Sequence, residues 1–264
     1  MADTFGVFYL GNFASLDPTE GNNTAENAGA LVNQTFGSAT DPLYDDLQEL
    51  SPGTNGYGGK TAGAYDSDNN RGGGQSPDNF RIDGGPNQTF DTIVTYTATI
   101  TYANGLPPVV VTAIIIQDTN GNLYLAPAPT SNSYQAALEA GPLESIQINS
   151  VVTDTSNLAG SRVDGNYVQP DGWVDGTAGN DNMTETYVDT QADEIDQNAN
   201  AINAGSGDDT VNAGGGNDTV LGGAGSDVIN GGSGNDIIHG DSSLGTQTTY
   251  SWANQGISDG TSIT

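Results

Sequence analysis

The sequence predicts an all-β protein, with an N-terminal antiparallel β-sandwich-like domain followed by a parallel β-roll. Residues 93–102 alternate between apolar and threonine side chains, the period-two pattern of a strand with one buried face. Residues 204–239 are four consecutive nine-residue repeats, and a short period of this kind is typical of a solenoid. Helical periodicity is scarce elsewhere in the chain. These observations place the antiparallel strands first and the parallel coils second.

The strands of the N-terminal domain are predicted from apolar runs that are separated by turn residues. Asn104-Gly105 is a hairpin signal between two of these runs, and residues 118–122 (DTNGN) form the next turn. The run 109–116 is apolar on both faces, which indicates a central strand. Residues 51–77 are rich in Gly, Asn and Asp and predict a long surface loop. The predicted strands are residues 5–10, 93–102, 109–116, 123–126 and 143–152, and the predicted short helices are 25–32, capped by Asn23 or Thr24, and 134–140.

The four repeats share one pattern, in which glycines in the first half are followed by an Asp and then by an aliphatic residue at fixed positions. They read AGSGDDTVN, AGGGNDTVL, GGAGSDVIN and GGSGNDIIH. Position six is always Asp, and position eight is always Val or Ile. The glycine-rich half can turn tightly, and the other half is a strand too short to bury its apolar residue alone. The repeats must therefore stack.

This pattern predicts calcium sites at the turns. Ca²⁺ takes about six to eight oxygen ligands, from carboxylates and backbone carbonyls. Successive turns alternate between the two sides of a roll, so turns two repeats apart should pair Asp209 with Asp227, and Asp218 with Asp236. The alternative is that Asp and Gly form ordinary solvated turns, but four copies in strict register disfavour it. The predicted metal-binding residues in the repeats are Gly205, Gly207, Asp209, Gly214, Gly216, Asp218, Gly223, Gly225, Asp227, Gly232, Gly234 and Asp236.

The charge of the chain also favours bound cations. It carries 4 basic and 33 acidic residues, a net charge of −29. No Lys or Arg follows Arg162, whereas 15 acidic residues lie from Asp171 onward. Such a segment repels itself unless counter-ions bind, so folding and calcium binding should be coupled. Nucleic acid and anionic membranes are unsuitable partners for so acidic a chain.

The repeats resemble those of the RTX (repeats-in-toxin) family. In that resemblance, the residues ahead of them look like degenerate leading turns of a β-roll. Residues 176–181 (GTAGND) place Asp181 at position six and Met183 at position eight, and residues 190–195 (TQADEI) are a weaker match that contains Asp193. Asp181 and Asp193 therefore join the predicted metal ligands. The resemblance implies several Ca²⁺ ions and export by type I secretion, and it covers residues 176–241.

Composition agrees with an exported protein. The chain has no Cys, and its N-terminus shows no basic region followed by an apolar run that would mark a cleaved signal peptide. No run approaches the length of a membrane span. Weak calcium sites fill at extracellular rather than cytosolic calcium. We therefore expect a secreted or surface-associated protein. The expected domains are 1–165, of unknown activity; 166–245, the roll; and 246–264, the start of a further segment or a C-terminal tail.

The N-terminal domain loosely resembles domains ahead of RTX repeats in marine alphaproteobacterial proteins, some of which end in a self-processing Hint domain. The residues behind this resemblance are 13–22, 28–36 and 80–85. No activity is assigned to the domain that carries this resemblance. A Hint nucleophile has no place in this sequence, since Cys is absent.

Catalytic motifs are scarce. The single histidine, His239, ends the last repeat, and no G-x-S-x-G elbow is present for a Ser-His triad. One histidine also excludes a histidine zinc cluster. A carboxylate pair for glycoside hydrolysis is compatible with the many acids. Trp173 and Trp252 flank the roll and are interpreted as caps of its ends. Residues 66–70 (DSDNN) are a second calcium candidate through Asp66 and Asp68, or else an Asn/Asp turn; Arg71 and Pro77 exclude an EF-hand.

Two functional hypotheses follow. The first is a non-enzymatic, calcium-stabilised extracellular protein of a surface, filament, virion or adhesin type, which associates with itself or with a surface protein or glycan. The alternative is a type I-secreted enzyme, for example a glycan hydrolase, whose catalytic residues lie in the β domain or in further C-terminal sequence.

Overall fold

The structure, a computed structural model, describes residues 4–18, 25–54, 78–154, 162–241 and 249–250. The chain divides into two compact units, Met1–Val168 and Gln169–Thr264. Among the described residues, no helix is long and apolar enough to span a membrane. The predicted all-β class is confirmed, with an antiparallel sheet in the first unit and parallel sheets in the second. The finer boundaries at 165 and 245 stay predictions.

The described residues of the first unit form eight strands in one antiparallel sheet. They are β1 (Phe5–Asn12), β2 (Thr35–Phe36), β3 (Leu47–Pro52), β4 (Asn79–Ile82), β5 (Gln88–Tyr102), β6 (Val109–Asp118), β7 (Asn122–Ala126) and β8 (Leu143–Thr153). The hydrogen-bonded order is β2-β8-β5-β4-β3-β1-β7-β6, and β6 also pairs with β5. The sandwich-like arrangement is thus a single sheet that closes on itself through β5, rather than two separate sheets.

Closure is possible because β5 is long enough to use both of its edges. One edge pairs with β4 at Thr89 and then with β8 from Thr95 to Tyr102, and the opposite edge pairs with β6. The predicted alternation in β5 is observed: Val94, Tyr96, Ala98 and Ile100 are fully buried. The buried apolar residues of all eight strands form one core cluster. β6, predicted to be central, lies between β5 and β7.

Three differences from the predicted elements have local causes. Residues 25–32 form only a 3-10 turn, Ala28–Leu31, whose sequence contains the helix-weakening Gly29. The second predicted helix is a six-residue α1, Ser133–Leu138, capped by Asn132, whose side chain accepts the N–H of Gln135. β2, β3 and β4 were not predicted, because their short sequences have no sustained alternation. The predicted caps Asn23 and Thr24 and most of the predicted loop 51–77 lie outside the described residues.

Where the structure describes the second unit, it is a roll of two parallel four-stranded sheets. One sheet has the order β10 (Asn182–Met183), β12 (Thr210–Asn212), β14 (Val228–Asn230), β16 (Thr249–Tyr250). The other has the order β15 (Ile237–Asp241), β13 (Thr219–Gly223), β11 (Ala201–Asn203), β9 (Val174–Asp175). Consecutive repeats alternate between the sheets, so each strand pairs with the strand two repeats away.

The side chains at position eight fill the interior of the roll. Met183, Val211 and Ile229 are in register in one sheet, and Val174, Ile202, Val220 and Ile238 in the other. All except Ile238 are buried, and Ile238 packs against the same cluster. Each strand contributes one inward side chain, so burial exists only between stacked coils. The predicted requirement for stacking is therefore met.

Candidate calcium sites

The turns of the roll depend on glycine at positions two and four. In every regular repeat these glycines have φ between +83° and +144°, a region that side chains with a Cβ disfavour. A Cβ on Gly225 would also lie 1.8 Å from the carbonyl oxygen of Gly207, and one on Gly234 would lie 1.6 Å from that of Gly216. The predicted glycines Gly205, Gly207, Gly214, Gly216, Gly223, Gly225, Gly232 and Gly234 are thus required for the turns to stack.

The position-six carboxylates form two ladders, as the repeat spacing predicts. The main-chain N–H of Asp209 donates to Oδ1 of Asp227 at 3.1 Å, and the N–H of Asp218 donates to Oδ1 of Asp236 at 3.1 Å. The carbonyl oxygen of Asp209 also accepts the N–H of Val228 from the next coil. The pairs Asp209–Asp227 and Asp218–Asp236 are therefore brought together on the two sides of the roll.

The second oxygen of these carboxylates has a different environment. Oδ2 of Asp209, Asp218 and Asp227 is buried and has no hydrogen-bond partner among the described residues. The three residues are each only 1% exposed. A buried carboxylate oxygen without a partner is costly, so these atoms are the candidate charged ligands of a cation.

Burial also changes the acidity of two of these groups. Desolvation, together with the charges of Asp236 and Asp196, raises the pKa of Asp218 to about 6. Desolvation, together with the charges of Asp227, Asp181 and Asp208, raises the pKa of Asp209. A bound cation would favour the ionised carboxylates instead.

The side chains at position five form a second, outer ladder of hydrogen bonds, which was not among the sequence-based predictions. The side-chain oxygen of Asp208 accepts the N–H of Ser226 at 2.9 Å, and that of Asn217 accepts the N–H of Asn235 at 2.9 Å. Asn180 accepts the N–H of Asp208 in the same way. Asn and Asp are equivalent in this role, since only one acceptor oxygen is used. The sequence signal for this ladder is that position five is Asp, Asn or Ser in every repeat.

Asp181 lies in the predicted register but has different partners. β10 pairs Met183 with Val211, which places Asp181 beneath Asp209, and the N–H of Asp181 donates to Oδ1 of Asp209 at 2.8 Å. Its own Oδ2 accepts the N–H of Thr177 at 2.6 Å and the Thr177 hydroxyl at 2.9 Å. Both interactions arise within its own turn.

Asp193, predicted as a metal ligand in the weaker match 190–195, does not lie at position six of a coil. Asn200 holds that place, because its N–H donates to Oδ1 of Asp218 at 2.8 Å and β11 pairs Ile202 with Val220. The Asp193 carboxylate accepts the N–H groups of Asp171 and Gly172. Asp181 and Asp209 are 28 residues apart instead of the usual 18, so Asp193 lies in an insertion between the two leading turns. Counting 18 residues back from Asp218 would have found Asn200.

The remaining candidates are located as follows. His239 is exposed at position nine of the last repeat. Trp173 precedes β9, the terminal strand of its sheet, and lines a shallow cleft of about 330 Å³ with Asp171, Asp175, Asn203 and Leu221. Asp66, Asp68 and Trp252 lie outside the described residues.

The ligand set of the regular turns fits Ca²⁺. No group of three or more His, Cys, Asp or Glu that could hold a metal occurs within the described part of the chain. A site would therefore combine a carboxylate pair with main-chain carbonyls from the glycine turns, a mixture of hard oxygen ligands that suits calcium. The partnerless Oδ2 atoms supply the charged oxygens of that set.

Comparison of the sequence with known protein families agrees with this geometry. A family model described as the RTX calcium-binding nonapeptide repeat (4 copies) matches residues 196–229 and 213–243. No curated protein and no solved structure matches the chain. The matched span contains both position-six ladders and begins within the turn of Asn200. Residues 196–243 of this protein are thus RTX calcium-binding nonapeptide repeats, which typify secreted, calcium-binding proteins.

Proposed function

We propose that this protein is a calcium-stabilised extracellular structural or adhesive protein. Its roll would serve as a rigid spacer, and its N-terminal β domain would make the protein or glycan contacts. The observation that carries this proposal is the series of buried, partnerless carboxylate oxygens at Asp209, Asp218 and Asp227. Repeated calcium sites of this kind would stiffen a segment where calcium is abundant, and they would contribute no group to a reaction.

A rigid spacer agrees with the connectivity of the roll. Each coil bonds to its neighbours through main-chain ladders, two side-chain ladders and the stacked position-eight residues. The stability of such an array comes mainly from contacts between neighbouring coils. Calcium would join adjacent turns by charge and so couple the coils further. Weak sites of this type fill at extracellular calcium concentrations.

The β domain offers an uncharged surface for the contacts, which we name the threonine face. It comprises Thr95, Thr97, Thr99 and Thr101 of β5, Val110 and Thr112 of β6, and Gln147 and Ser150 of β8. Cross-strand pairs place Val110 and Gln147 beside Thr99, and Thr112 and Ser150 beside Thr97. Val110 is 64% exposed. On a chain of net charge −29, this face lacks the repulsion that acidic side chains would impose on a partner.

The proposal assigns no catalytic residue. The chain has one histidine and no cysteine, and His239 is exposed at the end of a repeat. In the β domain, a shallow cleft of about 460 Å³ is lined by Glu49 and Asp164, among others. If the protein were a glycosidase, these two carboxylates would be its candidate catalytic pair. The experiment therefore also measures hydrolysis of glycans.

The test uses the full chain at millimolar Ca²⁺, with sedimentation velocity for self-association and immobilised glycans and cell surfaces for adhesion. We expect association or adhesion that Thr97→Asp weakens at least tenfold, because the new charge lies in the centre of the threonine face. Thr210→Asp is the control, since Thr210 is likewise a strand threonine outside the buried core but lies on the roll. A chain that stays monomeric and binds no surface, or one that hydrolyses a glycan through Glu49 or Asp164, would contradict the proposal.

A further inference from the structure

We propose that calcium binding begins at the pairs Asp209–Asp227 and Asp218–Asp236, and that the coil before them is a calcium-independent first layer. This first layer consists of the leading turns 176–184 and 195–203 and the segment between them. The inference rests on the calcium binding of the repeats and is independent of any adhesive role. It restricts the ions to the regular turns.

The first leading turn already satisfies its position-six carboxylate. Thr177 occupies position two, where every regular repeat has glycine. Its N–H and hydroxyl both donate to Oδ2 of Asp181, at 2.6 and 2.9 Å, and the hydroxyl also reaches Oδ1 at 3.2 Å. A Ca²⁺ ion at this turn would have to displace these hydrogen bonds. Thr177 thus supplies the partners of Oδ2 of Asp181, whereas in our proposal a cation is the partner of Oδ2 of Asp209.

The second leading turn replaces the carboxylate with an amide. Asn200 stands at position six, and its Nδ2 donates to Oδ1 of Asp196 at 3.1 Å while its Oδ1 accepts the N–H of Asp196 at 3.3 Å. The Asp196 carboxylate also accepts the N–H of Asn198 at 2.7 Å. This turn therefore closes through its own side chains, with the charge at position two instead of position six.

The backbone of the leading turns also differs from that of the regular turns. Thr177, Gly179, Asp196 and Asn198 hold positions two and four, and none of them has the positive φ that these positions adopt in all four repeats. The leading turns therefore differ from the glycine turns in φ, although the carbonyl of Thr177 accepts the N–H of Ser206 just as that of Gly205 accepts the N–H of Ala224. Both the position-six side chain and the backbone conformation depart from the regular site.

The segment between the leading turns holds the first layer together without a metal. The N–H of Ile195 donates to the carbonyl of Tyr187, and the N–H of Thr186 donates to the carbonyl of Ile195, each at 2.9 Å. The Asp189 carboxylate accepts the N–H groups of Asp175, Gln191 and Asp193. Asp189 thus ties β9 to this segment. A preformed layer of this kind gives the next coil a strand edge on which to pair.

The deciding experiment counts bound calcium in four forms of the full chain, by metal analysis after dialysis against millimolar Ca²⁺. Thr177→Gly turns the leading turn into G-G-A-G-N-D, the regular pattern. It removes the hydroxyl that donates to the Asp181 carboxylate and permits the positive φ of the regular turns, which would turn the remaining N–H of residue 177 away from Oδ2. We expect this variant to bind one ion more than the wild type. Asp227→Asn should bind at least one ion fewer, and Asp181→Asn should bind the same number as the wild type.

The results separate a ligand from a structural residue. An unchanged count in Thr177→Gly overturns the proposal, as does the loss of an ion in Asp181→Asn when circular dichroism shows that the roll remains folded. If Asp181→Asn unfolds the roll, Thr177→Gly alone decides. Hydrogen exchange gives an independent readout: without calcium, the amides of Thr186 and Ile195 should stay protected while those of Ala224 and Ser233 exchange. Equal loss of protection at all four amides would also overturn it.

Discussion

The N–H of Asp209 donates to Oδ1 of Asp227, 18 residues later, and leaves Oδ2 of Asp227 buried with no hydrogen-bond partner in the described part of the chain. One carboxylate therefore has two functions. One oxygen fixes the stacking of adjacent coils through a main-chain hydrogen bond, and the other remains available to a cation. Because the first bond aims the second oxygen, stacking of the coils and formation of the calcium site are the same structural event.

Removal of this charge should weaken calcium binding. Asp227→Asn keeps an oxygen for the N–H of Asp209 but loses the negative charge, so we expect the calcium dissociation constant to rise about tenfold, or about 1.4 kcal/mol. Isothermal titration calorimetry on the full chain measures it. The matched control is Asp208→Asn, which removes the same charge from the outer ladder, where Asn217 already serves. Equal weakening by both variants would mean that general charge, and not ligation, determines affinity.

The response of the roll to pH should reverse sign with calcium. Burial raises the pKa of Asp218 to about 6, above its usual value near 4. Between these values the metal-free folded state holds more protons than the unfolded state, so its free energy of unfolding falls as pH rises through this window. We expect the thermal midpoint without calcium to increase from pH 7 to pH 5. At millimolar Ca²⁺ it should decrease, because protons compete for the carboxylates.

Circular dichroism in calcium-stripped buffer, with and without added Ca²⁺, measures both slopes. Asp218→Asn is the control, since it removes one titrating group and should reduce both slopes. The same sign in the two conditions would contradict this prediction.

Glycine at position four should be required only in the regular turns. Gly225→Ala would place a Cβ 1.8 Å from the carbonyl oxygen of Gly207 at a φ of +144°, and we expect a loss on the order of 3 kcal/mol. Gly179→Ala changes the same motif position in a leading turn, where the nearest atom would be the Thr177 hydroxyl at 3.8 Å. That variant should lose less than about 1 kcal/mol. Denaturant unfolding at fixed Ca²⁺ compares the two, and similar losses would rule out the steric explanation.

The interior of the roll should depend on position eight and not on its neighbour. Ile229 is fully buried in the roll, whereas Val228 is 45% exposed on the outer surface. Ile229→Ala should therefore cost about 2–5 kcal/mol, and Val228→Ala about 0.5 kcal/mol or less. Thermal unfolding of the second unit provides the measurement. A comparable cost for Val228→Ala would indicate that the outer surface is also covered.

The sequence by itself determined the features that repeat locally. Gly at positions two and four, Asp at six and an aliphatic residue at eight specify the turn, the ligand and the interior, so the register of Asp209, Asp218, Asp227 and Asp236 followed from counting. The alternation of β5 and the apolar run of β6 were readable for the same reason, since each is a property of consecutive residues. Calcium followed from oxygen ligands and a net charge of −29.

Only the tertiary structure decided which carboxylates are available. Asp181 and Asp227 occupy the same position in the repeat pattern, but Thr177 satisfies Asp181, whereas Oδ2 of Asp227 has no partner among the described residues. The insertion before Asn200 displaced Asp193, and β5 closed the first unit by pairing along both edges. These outcomes depend on hydrogen bonds and strand pairs between residues far apart in sequence. A local pattern names the residues, and the packing of distant segments determines their partners.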